Sequence, residues 1–190
     1  MTFKEYLSKV YVAGEVYEWI GDMSVEDFVA SCPRGDWLQC LAKRIGVEKN
    51  RLSLAYGHCA ATVINLEDSD EIKNAINALI DYGNGKITED VLSDCISVIS
   101  TNDDDDIFDQ APGASYSSSV VHNHAYDTYI ASVDFKMRDT NIEVIHTAAY
   151  ATAHAAVKTN ELATADICRK HIGEYIIDIV NKNLKINHIQ

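Results

Sequence analysis

Apolar residues along most of this chain recur every three or four positions, the period of a helix with one buried face, while strand-like alternation is nearly absent. Phe3, Tyr6, Leu7 and Val10 predict a first amphipathic helix, which Gly14 interrupts before Tyr17, Trp19 and Ile20 continue as a short aromatic segment. Ser24 reads as an N-cap, with Asp27 three positions on and Val25, Phe28 and Val29 behind it. The next start is the anchor of the pattern. Pro33 lacks an N–H and has a φ suited to a first helical turn, and Asp36 places a negative charge among the free N–H groups. Trp37, Leu38, Leu41, Ala42 and Ile45 then share one side, and Gly46 can end the helix in a left-handed conformation.

Between Glu48 and Leu66, residues Leu52, Ala55, Tyr56, Cys59, Ala60, Val63 and Leu66 keep the same spacing, with His58 beside the face. Asp68 with Glu71 predicts another start, followed by Ile72, Ala75, Ile76, Leu79 and Ile80 and closed by Gly83-Asn84-Gly85. Thr88 is the following N-cap, with Ile87 and Leu92 spaced as a hydrophobic staple. Residues 101–119 change character: four consecutive aspartates, then Ile107-Phe108, then Pro112-Gly113 and a serine cluster, which predicts a long acidic loop. His122, Tyr126, Tyr129 and Val133 predict a helix over 121–137. Thr140-Asn141-Ile142-Glu143 has capping-box spacing before an alanine-rich helix, and Leu162, Ala165, Cys168, Ile172, Ile176 and Ile179 mark a last one.

With 190 residues, 47% of them hydrophobic, the chain suits one shared core, so an all-α single domain over 1–190 with roughly eight to nine helices is expected. Five scattered cysteines, Cys32, Cys40, Cys59, Cys95 and Cys168, fit reduced, packed thiols better than a disulfide framework. Charge appears at once in Met1-Thr2-Phe3-Lys4-Glu5-Tyr6, unlike a signal peptide, and no apolar run is long enough to span a bilayer; the expected location is cytoplasmic. A formal net charge of −13 disfavours nucleic-acid and membrane-surface binding and favours a basic partner.

Chemistry-bearing patterns are sparse. Glu143 and His146 have the i, i+3 spacing of ferritin-like di-iron bundles, but no second copy of the pair occurs, and Glu143 has the simpler capping role. A metal site would have to be assembled from distant histidine-bearing helices, with Glu143, His146, His122 and His154 as candidate ligands and His124 and His171 nearby in the pattern. His58-Cys59 and Cys168/His171 could pair a nucleophile with a base only with an orienting third group, which the sequence does not indicate. The aspartate run lacks the spacing of an EF-hand loop, and phosphate-cradling and nucleophile-elbow motifs are missing. Arg34-Gly35-Asp36 lies in a helix start and is not read as an adhesion signal. No catalytic residue and no cofactor is expected.

The segment Cys32-Pro33-Arg34-Gly35-Asp36-Trp37-Leu38, followed by Leu41-Ala42, resembles the Cys-Pro-x-Gly-x-Trp-Leu hallmark of bacterial immunity proteins of polymorphic toxin systems, the Imm-five-like group. The resemblance extends to Ala148–Ala156 and to Ala165-Asp166-Ile167-Cys168-Arg169. It implies an all-helical, non-enzymatic protein that binds and blocks a cognate toxin, with Cys32, Pro33, Arg34, Gly35, Asp36, Trp37 and Leu38 as scaffold. Acidity complements a toxin with a basic surface, so Asp103, Asp104, Asp105, Asp106, Phe108 and Asp109 are the expected contact residues. A homodimer, a metal-binding helical protein and a helical scaffold with no toxin partner stay open as alternatives.

Overall fold

Helix boundaries in this protein follow from side chains able to satisfy free backbone groups. The computed structural model describes residues 1–10, 14–66, 69–97, 112–132 and 135–186, without the side chains of 97, 112, 113, 115, 129 and 135–144. The first helices are α1 (Phe3–Lys9), α2 (Gly14–Ile20), α3 (Val25–Ser31) and α4 (Gly35–Arg44). They are followed by α5 (Lys49–Ala61), a 3-10 turn at Ile64–Leu66, α6 (Asp70–Gly83), α7 (Glu89–Ser97), α8 (Pro112–Ser132) and α9 (Phe135–Cys168). A π turn at Arg169–Gly173 leads directly into α10 (Glu174–Ile186). The fold is all-α, with no strand among the described residues.

Several ends form as their residues predict. Ser24 Oγ accepts the Asp27 N–H at 3.0 Å. At the far end of α4, Gly46 takes φ +82°, and the N–H groups of Gly46 and Val47 reach back to the carbonyls of Lys43 (3.2 Å) and Ala42 (2.9 Å), a Schellman closure. The same closure ends α6, where Gly85 has φ +70° and Lys86 N–H donates to Asp81 O at 2.9 Å. One capping box escaped the pattern: Thr2 Oγ1 accepts from Glu5 N–H at 3.1 Å, and the Glu5 carboxylate accepts from Thr2 N–H at 2.8 Å.

Elsewhere the structure departs from the expected boundaries. Residues 112–119, read as loop, form the first turns of α8. The serines there are stabilised by tertiary bonds that a local pattern does not show: buried Ser117 donates to Asn160 Oδ1 at 2.9 Å, and Ser118 to the same oxygen at 3.3 Å. The Thr140–Glu143 capping box starts nothing, because the backbone is already helical from Phe135 and continues to Cys168. The segment expected to open a last helix near Leu162 lies inside α9, in its last two turns. The 121–137 helix instead begins at Pro112 and stops at Ser132. Ser69, one residue beyond the expected Asp68, caps α6 by accepting the Ile72 N–H at 3.2 Å. Pro33 precedes α4, whose N-cap is Arg34. Leu66 lies past the end of α5 and is exposed.

The core is built where α4, α5, α9 and the π turn meet: Leu38, Leu41, Ala42, Ala55, Cys59, Ala165, Cys168 and Ile172 are all fully buried there. Phe28, packed edge-on against Phe3 and Trp19, extends it under α1–α3, and Ile176 and Val180 carry it along α10. Two close approaches set the spacing. A Cβ on Gly57 would lie 2.7 Å from Ile80 Cγ1, and one on Gly83 would lie 2.6 Å from Leu54 Cβ, so α5 and α6 touch at glycines contributed by both. A Cβ on Gly35 would lie 2.7 Å from the Thr164 carbonyl carbon, which belongs to backbone and cannot swing aside. Gly35→Ala is therefore expected to cost about 1–3 kcal/mol, lowering Tm by roughly 2–12 °C. Gly14→Ala, with open space around it, should stay within about 0.5 kcal/mol. Thermal unfolding of the two variants checks the contrast.

Candidate functional site

The segment 32–38 crosses from α3 into α4 and meets the end of α9 along its whole length. Cys32, fully buried, is the C-cap of α3, and its thiol donates to Arg34 O at 3.3 Å. Its own carbonyl accepts from Arg169 Nη1 at 2.7 Å, and the Gly35 carbonyl accepts from Cys168 Sγ at 3.5 Å. Thus Cys32–Leu38 and Ala165–Arg169, distant in sequence, form one packed unit. Leu38 is its buried floor. Trp37 is half-buried, with its ring 5.8 Å from that of Trp19.

Arg34 faces outward from this unit. Its guanidinium binds Asp36 in a fork, Nε to Oδ1 at 3.0 Å and Nη2 to Oδ2 at 2.6 Å, and stands 5.0 Å from the Trp37 ring. Glu15 at 3.4 Å and Glu161 at 3.7 Å complete a ring of three carboxylates around one cation, with Asp36 the strongest cause of a raised guanidinium pKa. Beside it Pro33, Arg34, His154, Val157, Lys158, Glu161 and Leu162 line a half-open groove of about 300 Å³. Leu162, expected on the buried face of a last helix, is 48% exposed at its rim. The buried face of α9 runs instead through Ala149, Ala153, Asn160, Thr164, Ala165 and Cys168. Its two polar members hid it: Asn160 Nδ2 donates to Thr62 Oγ1 at 3.1 Å, and the Thr164 hydroxyl to Glu161 O at 3.0 Å.

The thiols are structural. Burial pushes Cys32 up to about 12, and Cys59 is raised by its contact with Cys168 and by burial. Cys59 Sγ lies 3.6 Å from Cys168 Sγ and donates to the Thr164 carbonyl at 3.7 Å. His58 points elsewhere, stacking at 4.7 Å on His171, so neither Cys–His pair forms a nucleophile with its base. Burial lowers both imidazole pKa values, helped by Lys170 and, for His171, by His58, Lys170 and Arg51.

A second ring cluster spans α8 and α9. His122 sits 5.7 Å from His154 and 6.1 Å from Tyr150; Tyr126 sits 4.9 Å from Tyr150 and hydrogen-bonds to His146 Nδ1. His122, His154 and His146 thus share one ladder, with Tyr126 between His122 and His146, while His124 is exposed. The Glu143 side chain lies outside the described residues. Among the described residues, no three His, Cys, Asp or Glu converge as a metal-ligand set.

The expected contact residues Asp103, Asp104, Asp105, Asp106, Phe108 and Asp109 lie outside the described residues. Glu15, Glu161 and Lys158, which shape the Arg34 groove, were not found by spacing. No helix among the described residues is long and apolar enough to cross a membrane. Comparison with protein-family models, with curated proteins and with solved structures gives no match to this chain.

Two measurements follow from these environments. The depressed His58 and His171 pKa values mean that the unfolded chain, with its ordinary value of 6.5, binds protons the folded one rejects. In phosphate-free buffer, stability is complete above pH 6.5, falls as pH drops below it, and levels off below the folded-state values. His58→Gln with His171→Gln should flatten that slope in denaturant titrations across this window. Separately, a thiol reagent should leave Cys32, Cys59 and Cys168 unmodified in the folded protein and modify all three on unfolding, with residue-resolved mass spectrometry as the readout.

Proposed function

We propose that this protein is a non-catalytic binding protein of the immunity type, which blocks a cognate bacterial toxin with a basic surface. The observation that carries this reading is the direct contact of Cys32–Leu38 with Cys168–Arg169, so that two of the three segments bearing the resemblance act as one scaffold. The thiols within that scaffold are buried, which suits support of a surface better than chemistry. Acidic side chains dominate the neighbouring exterior: Glu15, Glu18, Asp22, Glu26 and Asp27 are all exposed on α2, α3 and the turn between them. Complementary charge of this kind speeds encounter with a basic partner and orients it.

On this reading the 103–109 segment contributes charge and Phe108 an apolar anchor to the interface. The test is titration calorimetry with the toxin encoded beside this gene. Joint alanine replacement of Asp104, Asp105, Asp106 and Phe108 is expected to weaken binding at least tenfold, which corresponds to about 1.4 kcal/mol. Unchanged affinity removes that segment from the interface, and absence of binding by the unaltered protein removes the immunity reading.

A further inference from the structure

Of the 16 Lys and Arg of this acidic chain, Arg34, Lys49, Lys73, Lys86 and Arg169 each pair with a carboxylate. One patch on α5, about a quarter turn round from its α6 contact line, where α5 meets the π turn and Tyr175 of α10, gathers cations and imidazoles instead. Arg51 and His58 come from α5, Lys170 and His171 from the π turn, and Tyr175 from α10. Arg51 lies with Cζ 5.2 Å from the Tyr175 ring centroid, and its Nε is buried without a hydrogen-bond acceptor among the described residues. The His58 and His171 rings stack at 4.7 Å with planes only 11° apart, a geometry in which one proton opposes a second.

Among the described residues no carboxylate forms an ion pair with this group. The charges acting on the imidazoles from the elements around them are those of Lys170 and Arg51. Arg169, in the same turn, is already engaged by Asp166 and by Cys32 O, and Glu174, one turn beyond Lys170, forms no ion pair with it. Among the described residues Arg51 and Lys170 are likewise free of any ion pair. A buried guanidinium donor with no acceptor costs the full desolvation of that group unless something else accepts from it. The π turn itself is an expensive irregularity in a long helix, and such turns frequently mark functional positions.

We propose that Arg51, His58, Lys170 and His171 form a binding site for a small phosphate-type oxyanion. A guanidinium matches two oxygens in a fork, an ammonium supplies a point charge, and each imidazole offers an N–H donor. Several donors from separate elements call for a ligand with three or more acceptor oxygens, which a phosphate has and a carboxylate lacks. The free ion and a phosphate monoester share this chemistry. Binding takes up protons on the stacked pair, so affinity rises as pH falls through the imidazole range.

Titration calorimetry of the full chain at pH 6 and pH 8, with inorganic phosphate in one arm and glycerol phosphate in the other, tests the site. Saturable binding of one anion per chain is expected at pH 6 and at least tenfold weaker binding at pH 8. Binding of the monoester alone identifies an esterified ligand for the same site. Arg51→Gln and Lys170→Ala should each weaken binding at least tenfold. Lys170 is exposed, so its variant decides the matter if Arg51→Gln fails to fold. Absence of saturable binding by both anions, or affinity unchanged in Lys170→Ala, overturns the assignment.

Discussion

The close approach of Gly35 to the Thr164 backbone is the constraint on which the centre of this molecule depends. Because nothing but hydrogen projects from Gly35, the first turn of α4 lies against α9 at backbone distance. That approach brings the Cys168 thiol to the Gly35 carbonyl and the Arg169 guanidinium to the Cys32 carbonyl. The Cys32 carbonyl, left without a helical partner where α3 ends, is thereby satisfied by a guanidinium instead of by water. Arg34, displaced outward by the same geometry, meets Glu161 from α9 and Glu15 from α2. A cation in a triangle of carboxylates then links three helices at the surface, where each pair alone contributes little.

Buried polar side chains do the complementary work of specifying which helices meet. Gln39 is fully buried and its Oε1 accepts the Ala114 N–H at 3.2 Å, satisfying a free donor in the first turn of α8. Asn160 bonds to Ser117 and Ser118 on α8 and to Thr62 at the end of α5. A core of alanine and valine alone would let α8 slide along α9; bonds at fixed positions hold its register. They also explain how a serine-rich stretch persists as helix.

The chemistry of the molecule divides between a quiet interior and a busy exterior. Its three buried cysteines donate to carbonyls or touch each other, so they are part of the packing. Outside, the charge is distributed unevenly. Carboxylates crowd α2 and α3 and surround Arg34, whereas at the joint of α5 and the π turn cations collect with no ion pair among the described residues. These two surfaces differ in sign.

Local sequence determined much of this. Periodicity alone set the all-α class, because a 3.6-residue period buries one face only in a helix. The Ser24 start, the Gly46 and Gly85 stops, and the core roles of Leu38, Leu41 and Ala42 were legible because caps, left-handed glycines and apolar faces act within a few residues. Where tertiary bonds compete with local signals, the reading failed. The 112–119 serines became helix through Asn160; the Thr140 capping box was overridden by helix already running through it; Leu162 was left exposed because polar Asn160 and Thr164 took the buried face. The Arg34 ring of carboxylates and the Arg51 patch join residues from helices far apart in the chain. Such juxtapositions depend on how close two backbones pass, which no spacing along one helix encodes, and so only the packed structure could decide them.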